Sequence, residues 1–305
     1  MVNPNVDSIK DYVNYSKLGL IGKVFNGADS LKHFNMQAGV KGATALTLLD
    51  TTVKFTDGTA CGWNPQGSDT FSKRVLTPAI FKVQKEWCPD VLFKTWMSEQ
   101  LNYAAAGTEM TDAKIAEAIV GQQVTEVSKQ LEKAVWQGKV ASGDLIDGLV
   151  KVIEDTTPTA YEYAAGATIS SIVAGVYALI PEDAFSMGDV VLYMGKDMYR
   201  KYIQELIANG NLVITNVLND VAMPESILIP GTNVRVIGVA GLNGSNKCFA
   251  SFAKNFIYGT DMVEGPETVS FKYDAHDENY HLTIKFVAGV QVAFPTLIVE
   301  GKQQA

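Results

Sequence analysis

The stretch TDAKIAEAIVGQQVTEVSKQLEKAVWQG, residues 111–138, carries the strongest periodic signal in the chain. Apolar residues recur in it at steps of three and four with lysine and glutamate between them, a pattern typical of an amphipathic helix. The apolar positions are Ile115, Ile119, Val120, Val124, Val127, Leu131 and Val135. Thr111 is suited to cap the start of the helix, and Gly138 is suited to end it. At 1.5 Å per residue the helix would be about 40 Å long, so we expect it to be a spine for other elements.

A long β-hairpin is predicted upstream of this helix. The β-like patches TALTLLDTTVKF (44–55) and FSKRVLTPAIFKVQKEW (71–87) are separated by the turn-rich segment TDGTACGWNPQGSD. A two-stranded ribbon that stands alone is marginal in water, so the hairpin needs a surface to lie on. Residues 1–45 have scattered apolar residues without a sustained period. We expect them to form an arm that orders on something larger, either this molecule's body or a neighbour's.

Downstream of the spine helix the sequence predicts two more helices and then mostly strands. The helices are expected over residues 168–179, stopped by Pro181, and over residues 196–208, after the strand DVVLYM. Two long alternating strands, ETVSFKYDA and HLTIKFVAGVQVAF, follow near the C-terminus and are joined by the polar turn HDEN. There is no alternating βαβ series of the kind that builds a doubly wound sheet, so the predicted fold class is α+β.

Composition indicates a globular protein with a covered surface. The chain has 305 residues, of which 47% are hydrophobic and 19% are charged, and its formal net charge is −8. The charged fraction lies below the roughly 25% that is usual, which favours a stable oligomer. The acidic balance and the lack of a basic run argue against a protein that grips nucleic acid. The N-terminus has no signal-peptide pattern, and no apolar run is long enough to cross a bilayer, so no membrane association is expected.

Residues that usually carry chemistry are sparse. Only three histidines occur, at 33, 276 and 281. His276, Asp277, Glu278 and His281 would offer metal ligands at a predicted turn, but a solvated turn is the preferred interpretation. The chain has no nucleophile motif of the G-x-S-x-G type. The sequence therefore assigns no catalytic, cofactor-binding or metal residue.

The cysteines and a glycine cluster have plain structural interpretations. Cys61, Cys88 and Cys248 stand far apart, which argues against a disulfide framework and favours a reduced, cytosolic chain. Cys88 precedes a proline in an aromatic context, so we expect a buried thiol. Gly238, Gly241 and Gly244 fall between two β runs rather than before a helix, so a flexible loop is expected instead of a phosphate cradle.

The order of these elements resembles a known family. Three strings carry the resemblance: EAIVGQQVTEVSKQLEKAVWQGK, DVVLYMGKDMYRKYIQEL, and above all NFIYGTDMVEGPETVSFKYDAHDENYHLTIKFVAGVQVAFPTLIV. Together they resemble the major capsid proteins of tailed bacteriophages, which have the Hong Kong 97 fold. The resemblance covers roughly residues 85–300 by pattern, and the arm and hairpin by position only.

The resemblance implies a domain organisation and a function. Residues 1–45 would be the N-terminal arm, 46–88 the extended hairpin loop over a neighbouring subunit, 89–158 the peripheral domain with the spine helix, 159–264 the axial domain, and 265–305 peripheral-domain strands with the terminal strand. The protein would assemble into hexamers and pentamers of an icosahedral head enclosing double-stranded DNA as a non-specific neighbour. Scaffolding, portal and head-decoration proteins would be its partners. Assembly would occur in the bacterial host cytoplasm, with no cofactor and no turnover.

Five hairpin residues are the expected contacts with a neighbouring subunit: Phe55, Trp63, Phe71, Lys73 and Arg74. Two other classes of protein remain open at this point. A nanocompartment shell of the encapsulin type would have the same fold but enclose enzyme cargo. A small α/β enzyme is disfavoured by the few histidines and the missing nucleophile motif.

Overall fold

The computed structural model describes residues 24, 25, 27–56, 66–88, 112–210, 225–261, 268–274 and 276–304. Within these ranges the strands are β1 (Asn35–Ala38), β2 (Thr44–Val53), β3 (Gly67–Leu76), β4 (Ala79–Trp87), β5 (Thr159–Tyr163), β6 (Val190–Gly195), β7 (Ser226–Leu228), β8 (Arg235–Val239), β9 (Lys247–Phe252), β10 (Phe256–Thr260), β11 (Thr268–Asp274), β12 (Asn279–Val292) and β13 (Val299–Gln303). The α-helices are α1 (Asp112–Gln137), α2 (Leu149–Glu154), α3 (Ile169–Ala178), α4 (Glu182–Met187) and α5 (Lys196–Ala208).

The described strands form three sheets. A six-stranded sheet has the order β5-β13-β9-β6-β8-β7, in which β13 and β5 and also β6 and β8 run parallel. A five-stranded sheet has the order β1-β10-β12-β11, and β4 also pairs with β12. In that sheet β12 runs antiparallel to β10, β11 and β4. Strands β2 and β3 form a separate antiparallel ribbon, here called the ribbon. This mixture of helices and antiparallel-rich sheets confirms the predicted α+β class.

The spine helix α1 ends at Gln137, as predicted, and its apolar stripe is buried. Val120, Val124, Val127, Leu131 and Val135 each expose 7% of their surface or less. They face a large core that also includes side chains from β12, β10 and one face of the six-stranded sheet. The helix therefore acts as the element against which both large sheets pack.

Strand β6 is the centre of the six-stranded sheet because both of its faces are buried. Val191 and Tyr193 point into the α1 core, whereas Leu192 and Met194 point into a second core formed with α3 and α5. This two-faced burial explains why the sequence of β6, VVLYMG, is apolar throughout instead of alternating.

The described part of the predicted arm lies on its own molecule's body. Val24, Phe25, Ala28, Leu31 and Phe34 are all buried in the α1 core. Strand β1 then pairs in parallel with β10. We predicted that the arm orders on a larger surface, either its own molecule's body or a neighbour's. For these residues that surface is the body of the same chain. Residues 1–23 of the predicted arm lie outside the described residues.

Hydrogen bonds from α1 fasten this N-terminal part of the chain. Ser128 Oγ donates to the carbonyl of Val24 at 2.8 Å. Glu132 accepts from the backbone N–H of Ser30 at 3.2 Å and from the Ser30 hydroxyl. Trp136 Nε1 donates to Ser30 Oγ at 2.6 Å. Polar side chains inside the core thus hold residues 24–34, apart from residue 26, in one position on the helix.

Several local predictions differ from the structure. The second β-like patch, residues 71–87, is two strands, because Pro78 has no N–H to donate and interrupts the ladder. Its first half pairs with β2, and its second half, β4, joins the five-stranded sheet. Pro181 ends the helix predicted before it, but α4 begins directly after it, since proline is tolerated at a helix start. Helix α2 is not predicted from sequence.

Sheet pairing also groups parts of the chain differently from the expected domain ranges, since β4 of the expected hairpin range 46–88 pairs with β12 in the five-stranded sheet. Strand β10 falls within the expected axial range of 159–264, but it pairs with β1 and β12 in the five-stranded sheet. The domain ranges themselves stay predictions.

Candidate assembly surface

Among the described residues, the ribbon is buried against the rest of the chain at its root. On β3 the seven residues from Gly67 to Lys73 are exposed, and burial begins at Arg74 and is complete at Leu76. At about 3.3 Å per residue, the exposed part extends roughly 23 Å beyond the root. Residues 51–56 on the other side of the ribbon are also exposed.

The two faces of the root differ because successive side chains on a strand point to opposite sides. Residues 44, 46 and 48 are half-buried, and residues 45, 47 and 49 between them are exposed. Leu46 and Leu48 pack against a small cluster of Val40, Leu76, Ile257 and Ala293. The ribbon therefore has a body face that is anchored and an outer face that is not.

Arg74 and Gln291 lock the body face by hydrogen bonds. Arg74 Nη2 donates to Gln291 Oε1 at 3.0 Å, and its Nε donates to the same oxygen at 3.3 Å. Gln291 Nε2 donates in turn to the carbonyl of Val75 at 2.7 Å. Burial lowers the pKa of Arg74. The amide of one β12 side chain is thus shared between two ribbon residues.

Two paired glycines make room for the ribbon root. Gly259 of β10 lies directly opposite Gly289 of β12. A Cβ on Gly259 would lie 2.5 Å from Leu76 Cδ2, and one on Gly289 would lie 2.8 Å from Pro78 Cα. The chain that leaves the ribbon can approach the sheet closely only because neither position carries a side chain.

The outer face carries apolar side chains that contact little of their own chain. Leu49 and Phe71 are register partners, and both point outward with 52% and 69% of their surfaces exposed. Val53 and Val75 lie on the same face and are also exposed. Phe55, which follows β2, is 99% exposed. We call Leu49, Val53, Phe55, Phe71 and Val75 the outer strip.

The five residues expected to contact a neighbour are not equivalent in the structure. Phe55 and Phe71 belong to the outer strip, and Lys73 is exposed on the same outer face as Phe71. Arg74 points to the body face and binds Gln291 of its own chain. Trp63 lies outside the described residues. The sequence reasoning missed Leu49, Val53 and Val75, which the alternation of β2 and β3 could have placed opposite the half-buried Leu46 and Leu48.

A groove of about 700 Å³ lies between the ribbon and the rest of the chain, and residues of both ribbon faces line it, among them Leu48 and Leu49. Its walls include Leu48 and Arg74 from the ribbon, Met187 from α4, and Phe294 and Pro295 after β12. Met187 is half exposed there. The groove is a second surface on which the described residues leave apolar atoms accessible.

The two described cysteines differ in burial. Burial raises the pKa of the Cys248 thiol to about 12, so this thiol is inert as a nucleophile. Cys88 is exposed, so the expectation that it is buried is wrong.

Part of the glycine cluster is closely packed. Gly241 lies in a 3₁₀ turn, where a Cβ would meet Trp136 Cδ1 at 2.3 Å. Gln137 Nε2 donates to the Gly241 carbonyl at 2.6 Å. The loop between β8 and β9 therefore contacts the end of α1 at Gly241, whereas no atom lies within 4 Å of a Cβ at Gly244.

One group of potential metal ligands lies at the turn between β11 and β12. Ligand atoms of Asp274, Asp277 and His281 lie within 4.8 Å of one another. The turn was singled out from sequence, but His276 and Glu278 lie outside this group and Asp274 was not considered. No helix among the described residues is both long and apolar enough to cross a membrane.

Comparisons with known proteins show which solved structures share this fold. No protein-family model and no curated protein matches the chain. Among solved structures, a chain of the satellite phage P4 procapsid is similar over 100% of this chain and 93% of its own, with a TM-score of 0.60 and 10% identity. A chain from the capsid of Myoviridae phage XM1 is similar over 89% and 90%, with a TM-score of 0.56 and 11% identity. A chain of a virus-like particle from Pyrococcus furiosus is similar over 95% and 98%, with a TM-score of 0.50 and 14% identity.

These similarities define the class of the fold. The chain has the fold of phage capsid proteins, the Hong Kong 97 type, over essentially its whole length. The prediction of this fold from the order of the sequence elements is confirmed. At 10–14% identity the similarity establishes the fold, and function requires a separate argument.

Proposed function

We propose that this chain is a major capsid protein that assembles into hexamers and pentamers of an icosahedral phage head around double-stranded DNA. The observation that carries the proposal is the ribbon, which projects from its root with an outer strip that its own chain leaves exposed, on a fold shared with chains of assembled capsids. A projecting two-stranded ribbon is marginally stable by itself. A neighbouring subunit beneath it would supply the missing support.

Burial of the outer strip gives this contact a physical basis. Complete burial of a phenylalanine or leucine side chain contributes about 1.5–3 kcal/mol. Phe55, Phe71 and Leu49 together offer several such contributions on one ribbon, and each subunit in a closed shell would repeat them. Trp63 and Lys73 would add to the same contact, and Arg74 would support it by holding the ribbon root.

The charge of the chain fits a wall around DNA better than a DNA-binding surface. A formal charge of −8 repels the phosphate backbone, so packaged DNA would be a non-specific neighbour. Scaffolding, portal and head-decoration proteins would be the protein partners. The proposed location is the virion capsid, after assembly in the bacterial host cytoplasm.

The proposed role is structural, without turnover or cofactor. The six-stranded sheet has only two parallel pairs, β13 with β5 and β6 with β8, so it differs from the doubly wound parallel sheet of many small α/β enzymes. The neighbours by fold are capsid chains. Both observations support a shell protein over the enzyme alternative.

A nanocompartment shell that encloses enzyme cargo is the second candidate. The similarity to the Pyrococcus furiosus virus-like particle favours keeping it, although the TM-score of 0.50 is lower than the 0.60 for the P4 procapsid. The two candidates differ in what the particle contains. Nuclease-protected DNA in purified particles supports the phage head, and protein cargo without DNA supports the nanocompartment.

The outer strip can be tested without disturbing the fold. We expect the double variant Leu49→Ser and Phe71→Ser to lose particle formation, because it removes two adjacent apolar side chains that face away from the body. Its free energy of unfolding should stay within about 0.5 kcal/mol of the parent's, as is usual for exposed positions. Electron microscopy and thermal unfolding measure the two effects separately.

Thr51→Ser is the matched control, since Thr51 is exposed on the same face of the same strand. This variant should form particles as the parent does. Particles formed normally by the double variant would contradict the proposed role of the outer strip. Loss of the fold in the double variant would show that the strip packs on its own chain.

A further inference from the structure

We propose that the turn between β11 and β12 binds a divalent transition-metal cation through Asp274, Asp277 and His281. The three side chains present one ligand atom each, and these atoms lie within 4.8 Å of one another. The proposal is independent of the shell function, because it concerns one hairpin within a single chain.

The strand register explains why these three residues meet. The ladder between β11 and β12 ends at the pair Asp274 and Asn279. His281 lies two residues further along β12 than Asn279, so its side chain shares a face of the sheet with Asp274. Asp277 lies in the intervening turn. The hairpin therefore gathers ligands from its last strand residue, its turn and its returning strand.

One oxygen of the Asp274 carboxylate is already hydrogen-bonded within the turn. Its Oδ1 accepts the backbone N–H of His276 at 2.9 Å, which fastens the carboxylate across the turn. This hydrogen bond leaves Oδ2 available as a metal ligand, because a carboxylate has two acceptor oxygens. A carboxylate held by a backbone N–H loses less side-chain freedom when it binds a cation.

His281 supplies a second, independent indication. Its Nε2 is buried and has no hydrogen-bond partner among the described residues. Buried polar atoms are nearly always satisfied, and a ring nitrogen of the same side chain lies within 4.8 Å of both carboxylates, so the imidazole has unused capacity to bind a ligand. The turn is otherwise accessible, since Asp274 and Asp277 are exposed. The two carboxylates are therefore open to a cation from solvent, and the imidazole of His281 is only partly exposed.

The ligand types select the class of cation. Imidazole nitrogen together with carboxylate oxygen suits zinc and its first-row neighbours. Magnesium and calcium prefer oxygen ligands alone. Three protein ligands leave further coordination positions for water. Lys272 of β11 and Glu86 of β4 lie opposite His281 on the two flanking strands. Without a cation, the side chains around the site therefore carry charges of both signs.

Isothermal titration of the full-length chain with zinc chloride tests the site, with magnesium chloride as the comparison. We expect saturable zinc binding that Asp277→Asn and His281→Gln each weaken by about tenfold or more, since the loss of even an outer-shell partner has an effect of about that size. The matched control is Glu278→Gln, an exposed carboxylate of the same turn outside the group. This variant should bind zinc as the parent does.

Thermal unfolding with and without zinc distinguishes a variant that has lost the site from one that has misfolded. Zinc should raise the midpoint of thermal unfolding of the parent and of Glu278→Gln, and it should not raise that of Asp277→Asn. The proposal is overturned if zinc does not bind, if magnesium binds equally well, or if Glu278→Gln weakens binding as much as Asp277→Asn. Zinc binding that survives both ligand substitutions would place the cation elsewhere, for example at the exposed thiol of Cys88, and would also overturn it.

Discussion

Glu132 shows how one buried charge positions a segment of chain. It exposes 2% of its surface inside the α1 core and accepts hydrogen bonds from Ser30. Burial raises the pKa of this carboxyl above its usual value of 4.5, although the hydrogen bonds from Ser30 oppose the shift. Asp29 raises it further, and the backbone of Gly241 lowers it. The residue therefore anchors the N-terminal part of the chain to α1.

The raised pKa of Glu132 predicts a trend with pH. The folded chain holds the Glu132 proton more tightly than the unfolded chain does, so this residue lowers the stability of the parent as pH rises from about 4.5 through the folded-state pKa. Glu132→Gln does not titrate. The free energy of unfolding of the variant minus that of the parent should therefore increase with pH over this range, as measured by urea unfolding at several pH values.

Glu126→Gln on the same helix is the control for this trend. Glu126 is exposed, and its hydrogen bond with Gln130 and the charge of Lys129 lower its pKa. Replacement of Glu126 should give a difference in unfolding free energy that does not increase with pH. If the Glu132→Gln difference is also constant with pH, then Glu132 does not have a raised pKa in the folded protein.

The elements with a strong sequence period were predicted well. Helix α1 and helix α5 lie where the spacing of apolar residues places them, and β12 matches the alternation of HLTIKFVAGVQVAF. Short elements such as α2, with six residues, carry too few turns of helix for a period to be visible. The split at Pro78 was missed because both halves of residues 71–87 have β-forming composition. Pro78, which has no N–H to donate to a ladder, was the sequence signal that could have predicted the break.

The ribbon root was the least predictable part of the candidate surface. Its position depends on Gly259 and Gly289, two residues far from the ribbon in sequence that lie opposite each other in the sheet. Likewise, Arg74 was expected to point outward with Lys73. It lies on the other face because adjacent residues of a strand alternate. Apolar composition predicted the position of the ribbon. The alternation of side chains between the two faces of each strand determines which ribbon residues remain exposed.

The close approach at Gly289 leads to a prediction for the root. Gly289→Ala should lower the free energy of unfolding by about 1–3 kcal/mol, because the new Cβ would lie 2.8 Å from the backbone Cα of Pro78. Gly121→Ala is the comparison, since no atom lies within 4 Å of a Cβ at that helical position. It should raise the free energy of unfolding by about 0.5–1 kcal/mol through helix propensity. Chemical denaturation of both variants measures the contrast, and an equal response would contradict the tight packing at the root.

At the scale of the whole molecule, two cores lie on either side of the six-stranded sheet, and an ion-pair cluster at the sheet joins α2 to strands β9 and β13. Lys247 donates to Glu154 of α2 at 2.6 Å and to the nearly buried Glu300 of β13 at 2.5 Å. In the described regions the two cores are buried within the chain itself, whereas the outer strip of the ribbon is exposed. The low charged fraction of 19% had indicated a covered surface from the sequence. It did not identify the face that a neighbour covers.

The central claim is that the body folds alone and the ribbon is completed by neighbouring copies. The most direct measurement is electron microscopy of purified full-length protein, with any scaffolding partner supplied. We expect closed particles built from hexamers and pentamers, in which the outer strip of each ribbon is buried against another subunit. Monomers with an intact fold under all such conditions, or particles in which Phe55 and Phe71 remain exposed to solvent, would contradict the claim.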